Sequence, residues 1–444
     1  MDILIKIAQL FLCFTILVGI HELGHFLMAR AFKIRVEKFY IFFDPWFSLF
    51  KFKRGDTEYG LGWLPLGGYV KIAGMIDESM DKEQMKQPVK PDEFRAKPAW
   101  QRLLVMVAGV MMNVLLAIVI YCAVCYTWGD SYFSNQDAKW GYNFNPTAHE
   151  MGFRDGDRFV SIDGEEIDNV MRVQNDLLIT DGGRRVIVER GGEPVTLDIP
   201  FESLLRMRQE KAYEDLFTLR LPFIVDSVSY TSAVEAGLES GDEVVAIDDL
   251  RDADYPRYRD YLQKHKNDKV LLTVRRDGAL IDSLALPVDA EGRIGVTVTN
   301  PYSLRTQYYT FWESIPAGIH KAGKTISSYW DQLKLIVQPK TKMYEELGGF
   351  VAIGSIFPSS WDWHDFWLKT AFLSIILAVM NLLPIPGLDG GHALFTLWEI
   401  ITRRKPSEKF LEVAQYVGLM IILALLVYAL SLIHISEPTR LRRI

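Results

Sequence analysis

Cysteine is scarce in this chain of 444 residues: Cys13, Cys122 and Cys125 are all it has, each inside an apolar run. That excludes a disulfide framework. Cys122 and Cys125 make a CxxC pair with no second pair to complete a metal site, and they read as small residues packed in a helix. Blocks of Lys and Arg are missing too, and the net charge is -7, so no nucleic-acid partner is indicated. Charged residues supply only 24% of the chain and hydrophobic residues 49%. The length exceeds one ordinary domain and implies two to four units.

What is abundant is long apolar sequence. Residues 3–29 begin ILIKIAQLFLCFTILVGI and run into HELGHFLMA. With Lys6 as the only basic start and no small-residue cleavage site, the run reads as a retained span rather than a signal peptide. Residues 103–127 hold no charge and can cross ~30 Å of hydrocarbon. Residues 366–386, with Lys369 near one end, and residues 411–433 are the third and fourth candidates. The expected fold class is an α-helical polytopic membrane protein with about four transmembrane helices. Arg30, Lys33, Arg35, Lys38, Lys51, Lys53, Arg54 and Lys71 follow the first span; Arg403, Arg404, Lys405 and Lys409 separate the third from the fourth. The positive-inside rule puts both stretches in the cytoplasm and the long region between spans two and three outside. Trp361, Trp363 and Trp367 form an aromatic belt at the outer end of span three. The basic tail 434–444 falls on the outer side, reads poorly as native structure and is set aside.

His21, Glu22 and His25 lie in HELGH, an HExxH sequence. On a helix, residues four apart share a face, so the two imidazoles can bind one zinc ion. Glu22 beside them can take a proton from a water that the metal activates. All three sit at the end of an apolar segment, where ionisable groups are costly and functional by default. A catalytic zinc needs a third protein ligand. Asp389, in NLLPIPGLDGGH, lies at the inner end of a span parallel to the first, so topology allows it to join the histidines; His392 is the rival. The prolines and glycines there break a helix at membrane depth, which is tolerated where the backbone lines a wet cavity. Asn381 can hydrogen-bond an extended substrate or serve as helix–helix glue.

HELGH in the first span, with NLLPIPGLDG in a later one, resembles the site-2 protease family of intramembrane zinc proteases. The likeness covers nearly the whole chain except the tail. The resemblance implies one zinc held by His21, His25 and Asp389, Glu22 as catalytic base and Asn381 contacting substrate. It implies a membrane-associated β-hairpin from GLGWLPLGGYVKIAG (60–74); such a hairpin, through Val70 and Ile72, can hold an extended substrate by strand pairing. Gly109 and Asn113, in GVMMN, match a further family pattern, with close helix packing as an equal alternative. It also implies a bacterial inner-membrane enzyme acting on single-span proteins already trimmed outside, such as an anti-sigma factor or a remnant signal peptide.

The outer region repeats itself. TAHEMGFRDGDRFVSIDG (147–164) matches SAVEAGLESGDEVVAIDD (232–249), pairing Gly152 with Gly237, Gly156 with Gly241 and Asp157 with Asp242 at constant spacing. VERGG (188–192) and VRRDG (274–278) recur downstream. The pattern resembles PDZ domains, most closely in the second copy, where LPFIV (221–225) is the candidate loop and edge strand. Two α+β PDZ-like modules are expected, acting as binders of peptide C-termini, as size filters, or as both. Residues 306–338 carry apolar positions at three- and four-residue steps and read as an amphipathic helix, lying at the membrane interface or packing on the modules. The expected divisions are 1–129, 130–220, 221–305, 306–365, 366–433 and 434–444.

Overall fold

The computed structural model describes residues 2–64, 67–75, 88–213, 215–252, 254–343, 356–407, 409–421 and 423–424. The long apolar runs become helices. Helix α1 (Asp2–Ala31) is 30 residues, about 45 Å at 1.5 Å per residue. Helix α2 (Ala99–Trp128) starts after Pro98 and stops at Gly129, whose φ of 75° ends the helical path. Three helices of the described chain are long and apolar enough to cross a membrane: α1, α2 and the helix Trp363–Leu382. The expected fourth span is helical from 409 to 421, and most of its remainder lies outside the described residues, as does the tail.

The chain divides into two compact units, Met1–Asp130 with Tyr308–Ile444, and Ser131–Gln307. In the first unit α2 is the hub. Against it pack α1, α3 (Phe311–Val337), α4 (Trp363–Leu382) and α5 (Asp389–Thr402). Helix α3 opens on a capping box, with the Thr310 N–H donating to Glu313 Oε2 at 2.9 Å. It is the expected amphipathic helix. It packs along α2 and α4, and Gly318 lets it approach so closely that a Cβ there would stand 2.6 Å from the Cys122 nitrogen. Cys122 thus serves helix packing.

Between α1 and α2 lies a four-stranded sheet of β1 (Val36–Ile41), β2 (Phe50–Arg54), β3 (Thr57–Leu61) and β4 (Tyr69–Ile72), in the order β2-β3-β1-β4. The glycine-rich stretch 60–74 was expected to fold on itself as a hairpin. Its two strands instead flank β1, β3 parallel to it and β4 antiparallel. The hairpin is β2–β3. Glycine is required where the chain crosses β1: a side chain at Gly62 would collide with the Phe43 and Phe42 carbonyls. Strand β2 alternates Phe50 and Phe52 with Lys51 and Lys53, all exposed, and Trp46 just before it is 90% exposed. An aromatic face alternating with cations suits a bilayer interface.

The second unit builds the same meander twice. Strands β5 (Arg158–Ile162), β6 (Arg184–Arg190) and β7 (Glu193–Ile199) correspond to β8 (Glu243–Ile247), β9 (Lys269–Arg276) and β10 (Ala279–Pro287). Each copy has a bulge at the matching place, Phe159/Ser161 and Val244/Ala246. Each then turns on an aspartate with positive φ, Asp163 and Asp248. Each has its own core, one around Phe153, Phe159 and Val186, the other around Phe223, Val244 and Val270. The matched Asp157 and Asp242 are fully buried and clasped by Arg190 and Arg276 through paired bonds of 2.7–2.8 Å. The repeated Gly-Asp and Val-x-Arg sequences are therefore two ends of one ion pair.

Candidate metal centre

The HELGH turn lies within α1, and both imidazoles are buried. They approach α2 because the facing residues are small. A Cβ on Gly24 would stand 2.8 Å from Met112 Cγ and as close to the Ala108 carbonyl carbon, and one on Gly109 would stand 2.7 Å from His21 Cε1. At the far end of the chain α4 stops at Leu382. Pro384 and Pro386 cannot continue it, and Gly387 takes φ 96°. Helix α5 then begins at Asp389 itself. A side chain on Gly391 would meet the Ile385 carbonyl at 2.5 Å, so the turn must be narrow. The carboxylate of Asp389 sits at the positive end of the α5 dipole. Arg102 on α2 holds Glu399 near the other end of α5 at 2.5 Å, which fixes that helix against the hub.

The result is a triangle of ligand atoms. His21 Nε2 and His25 Nε2 are 3.2 Å apart, and Asp389 Oδ2 is 3.0 Å from the first and 3.2 Å from the second. These three form the converging set of possible metal ligands among the described residues, and His392, the rival, is outside it. Ligand atoms ~2.0–2.1 Å from a tetrahedral zinc stand roughly 3.3 Å apart. The observed edges fit that ion. Asp389 Oδ2 is also buried without a hydrogen bond of good geometry, an acceptor that a cation would satisfy. The outer nitrogen of His25 donates to the Val105 carbonyl at 2.8 Å, which turns the Nε2 lone pair toward the triangle. The outer nitrogen of His21 faces Asn113 at 3.2 Å.

Glu22 makes no hydrogen bond to a described residue. Its Cγ lies where β4 enters: a Cβ on Gly68 would stand 3.2 Å from it. Asn381, on the last turn of α4, places its amide 3.4 Å from His21 Nε2, beside the triangle. Val70 and Ile72 turn their side chains into the core with Ile34 and Val36. What they can offer a substrate is backbone, since among the described residues β4 is an edge strand paired only with β1. Sequence reasoning missed the Val105 carbonyl and the Arg102–Glu399 pair. A backbone acceptor leaves no mark in a sequence, and the pair is separated by nearly three hundred residues.

The sequence pattern of Peptidase family M50 matches residues 9–425. A Clostridium perfringens protein named "Putative zinc metalloprotease" is 30% identical over 419 residues, covering 94% of both chains. A Vibrio cholerae protein of the same description is 29% identical over 456 residues, 97% of this chain and 98% of its own. A Haemophilus influenzae protein named "Regulator of sigma E protease" is 27% identical over 454 residues, 97% of this chain and 98% of its own. The family pattern runs from the first apolar helix through the end of the described chain, and both HELGH and the Asp389 turn fall inside it. This chain belongs to peptidase family M50, the site-2 proteases, and is a membrane-embedded zinc metalloendopeptidase.

Proposed function

We propose that the protein cuts single-span membrane proteins near the cytoplasmic side of a bacterial inner membrane, after a first cut has removed their outer domain. His21, His25 and Asp389 hold one zinc per chain, and the observation that carries this is the triangle of 3.0–3.2 Å edges among their ligand atoms. When bound, zinc supplies Lewis-acid polarisation of the scissile carbonyl and makes water acidic enough to attack near neutral pH. Glu22 takes the proton of the attacking water and returns it to the leaving amine. The Asn381 amide, 3.4 Å from His21 Nε2 and so beside the would-be metal site, is placed to donate to a substrate carbonyl. A helix hides its own backbone bonds, so the substrate must be extended at the cut. The free edge of β4, beside Glu22, suits such a strand. An anti-sigma factor is proposed as the substrate class, in keeping with the Haemophilus relative's description as a regulator of sigma E protease.

For the outer modules, a size filter is the better-supported role. A loop that grips a free C-terminus needs unclaimed backbone donors. In the second module the Leu221 N–H donates to the buried Asp254 at 3.0 Å, Pro222 has none, and the Ile224 N–H donates to the Pro222 carbonyl at 3.1 Å, which leaves the Phe223 N–H as the loop donor not claimed among the described residues.

The test uses the full chain in detergent with a tagged single-span substrate lacking its outer domain. Glu22→Gln is expected to lower cleavage by about 10²–10⁴-fold, while Asp389→Ala and a zinc chelator abolish it. A substrate N-methylated around the cut is expected to resist, because it cannot pair with β4. Cleavage by Glu22→Gln at the parent rate would overturn the catalytic assignment.

A further inference from the structure

Asn113 is fully buried on α2, and its amide nitrogen stands 3.2 Å from His21 Nδ1. In that orientation two things go wrong together. An amide donating to Nδ1 leaves the proton on Nε2, the nitrogen that faces His25 and Asp389. The Asn113 Oδ1, meanwhile, is buried with no hydrogen-bond partner. Oxygen and nitrogen of an amide are assigned by their network. Turned by half a rotation, Oδ1 accepts from Nδ1–H, the orphaned oxygen gains its donor, and the Nε2 lone pair points into the triangle.

We infer that Asn113 is a positioning residue that accepts the Nδ1 proton of His21 and so fixes the tautomer and ring direction that zinc requires. The inference rests on the zinc reading above. Helix α2 then serves both histidines from one face. Val105, Gly109 and Asn113 are spaced by four, so they stack along the helix. The Val105 carbonyl orients His25, Gly109 leaves room for both rings, and Asn113 orients His21. Helix α4 steadies the arrangement, since the Ser374 hydroxyl donates to the Asn113 carbonyl at 2.8 Å. The GVMMN turn, equally readable as close helix packing, has a chemical task in this arrangement.

The experiment measures zinc affinity of the metal-free full chain by competition with a chromophoric chelator, for the parent, Asn113→Leu, Asn113→Asp and Asp389→Ala. Leucine keeps the volume and removes the acceptor; aspartate is an acceptor only. Asn113→Leu is expected to bind zinc 10–100-fold more weakly, and Asn113→Asp as tightly as the parent or more so. A merely structural asparagine would be replaced as well by leucine as by aspartate. Parent-like affinity in Asn113→Leu, or weakened affinity in Asn113→Asp, overturns the inference. Should the leucine variant fail to fold, the aspartate variant decides alone, because an amide acting as donor cannot be replaced by a carboxylate. If Asp389→Ala binds zinc as tightly as the parent, the ligand set itself is wrong, a separate failure.

Discussion

A single methyl group at Gly109 tests the packing that brings the histidines together. A Cβ there would stand 2.7 Å from His21 Cε1 and 2.8 Å from its Nε2, with His25 closer still. If the rings give way, the triangle opens. Gly109→Ala is expected to weaken zinc binding 10–100-fold, read by metal analysis of the purified chain; full zinc content would show that α2 can shift instead. At this scale much was legible in the sequence. His21, Glu22 and His25 announce themselves by spacing. Asp389 was reachable from topology, with His392 left as a rival that only coordinates could separate. The partners of the outer nitrogens were not legible: Val105 contributes a carbonyl that any residue would supply, and Asn113 has a second, structural explanation.

Among the elements, the residues that make the repeats conspicuous meet in an ion pair inside each module. Burial alone would push the Asp242 carboxyl up, but the Arg276 guanidinium and the Glu239 N–H outweigh it and hold it below the usual carboxylate range. A depressed folded pKa means that the pair stabilises the fold above the unfolded value, about 3.9, and that this contribution fades as pH falls toward and through the folded value. Melting followed by near-ultraviolet circular dichroism is expected to weaken below about pH 4. Asp242→Asn should be less stable at pH 7, because Arg276 loses its charged partner, and should show a shallower acid slope. An unchanged slope would remove Asp242 from the account. The sequence displayed the matching residues but not their contact, which joins two positions 34 residues apart. It also hid α5, because Pro384, Pro386 and three glycines read as loop, whereas they make the narrow turn that lets a helix start on Asp389. The sheet was misread for a related reason. Strand signals mark β3 and β4, but pairing depends on β1 lying between them.

At the scale of the whole molecule, the chain carries a 177-residue unit, Ser131–Gln307, that contributes no ligand to the triangle. A cut inside the bilayer needs an unwound segment of substrate, and a substrate with a folded outer domain must bring that domain along. A unit that blocks bulky outer domains would make cleavage conditional on earlier trimming, with no recognition of sequence. In that reading the modules need rigidity and volume, which the two buried Asp–Arg clasps and the separate cores supply, and they need no open carboxylate-binding loop. Removing residues 131–307 behind a short flexible linker is expected to leave cleavage of a trimmed substrate at the parent rate and to allow an untrimmed one to be cut. Selectivity surviving that deletion would place discrimination in the membrane unit, where the candidates are the β4 edge and Asn381. Loss of both activities would instead mean that the outer unit holds the membrane helices in their working arrangement, and zinc content of the deleted chain separates that case from a failure of chemistry.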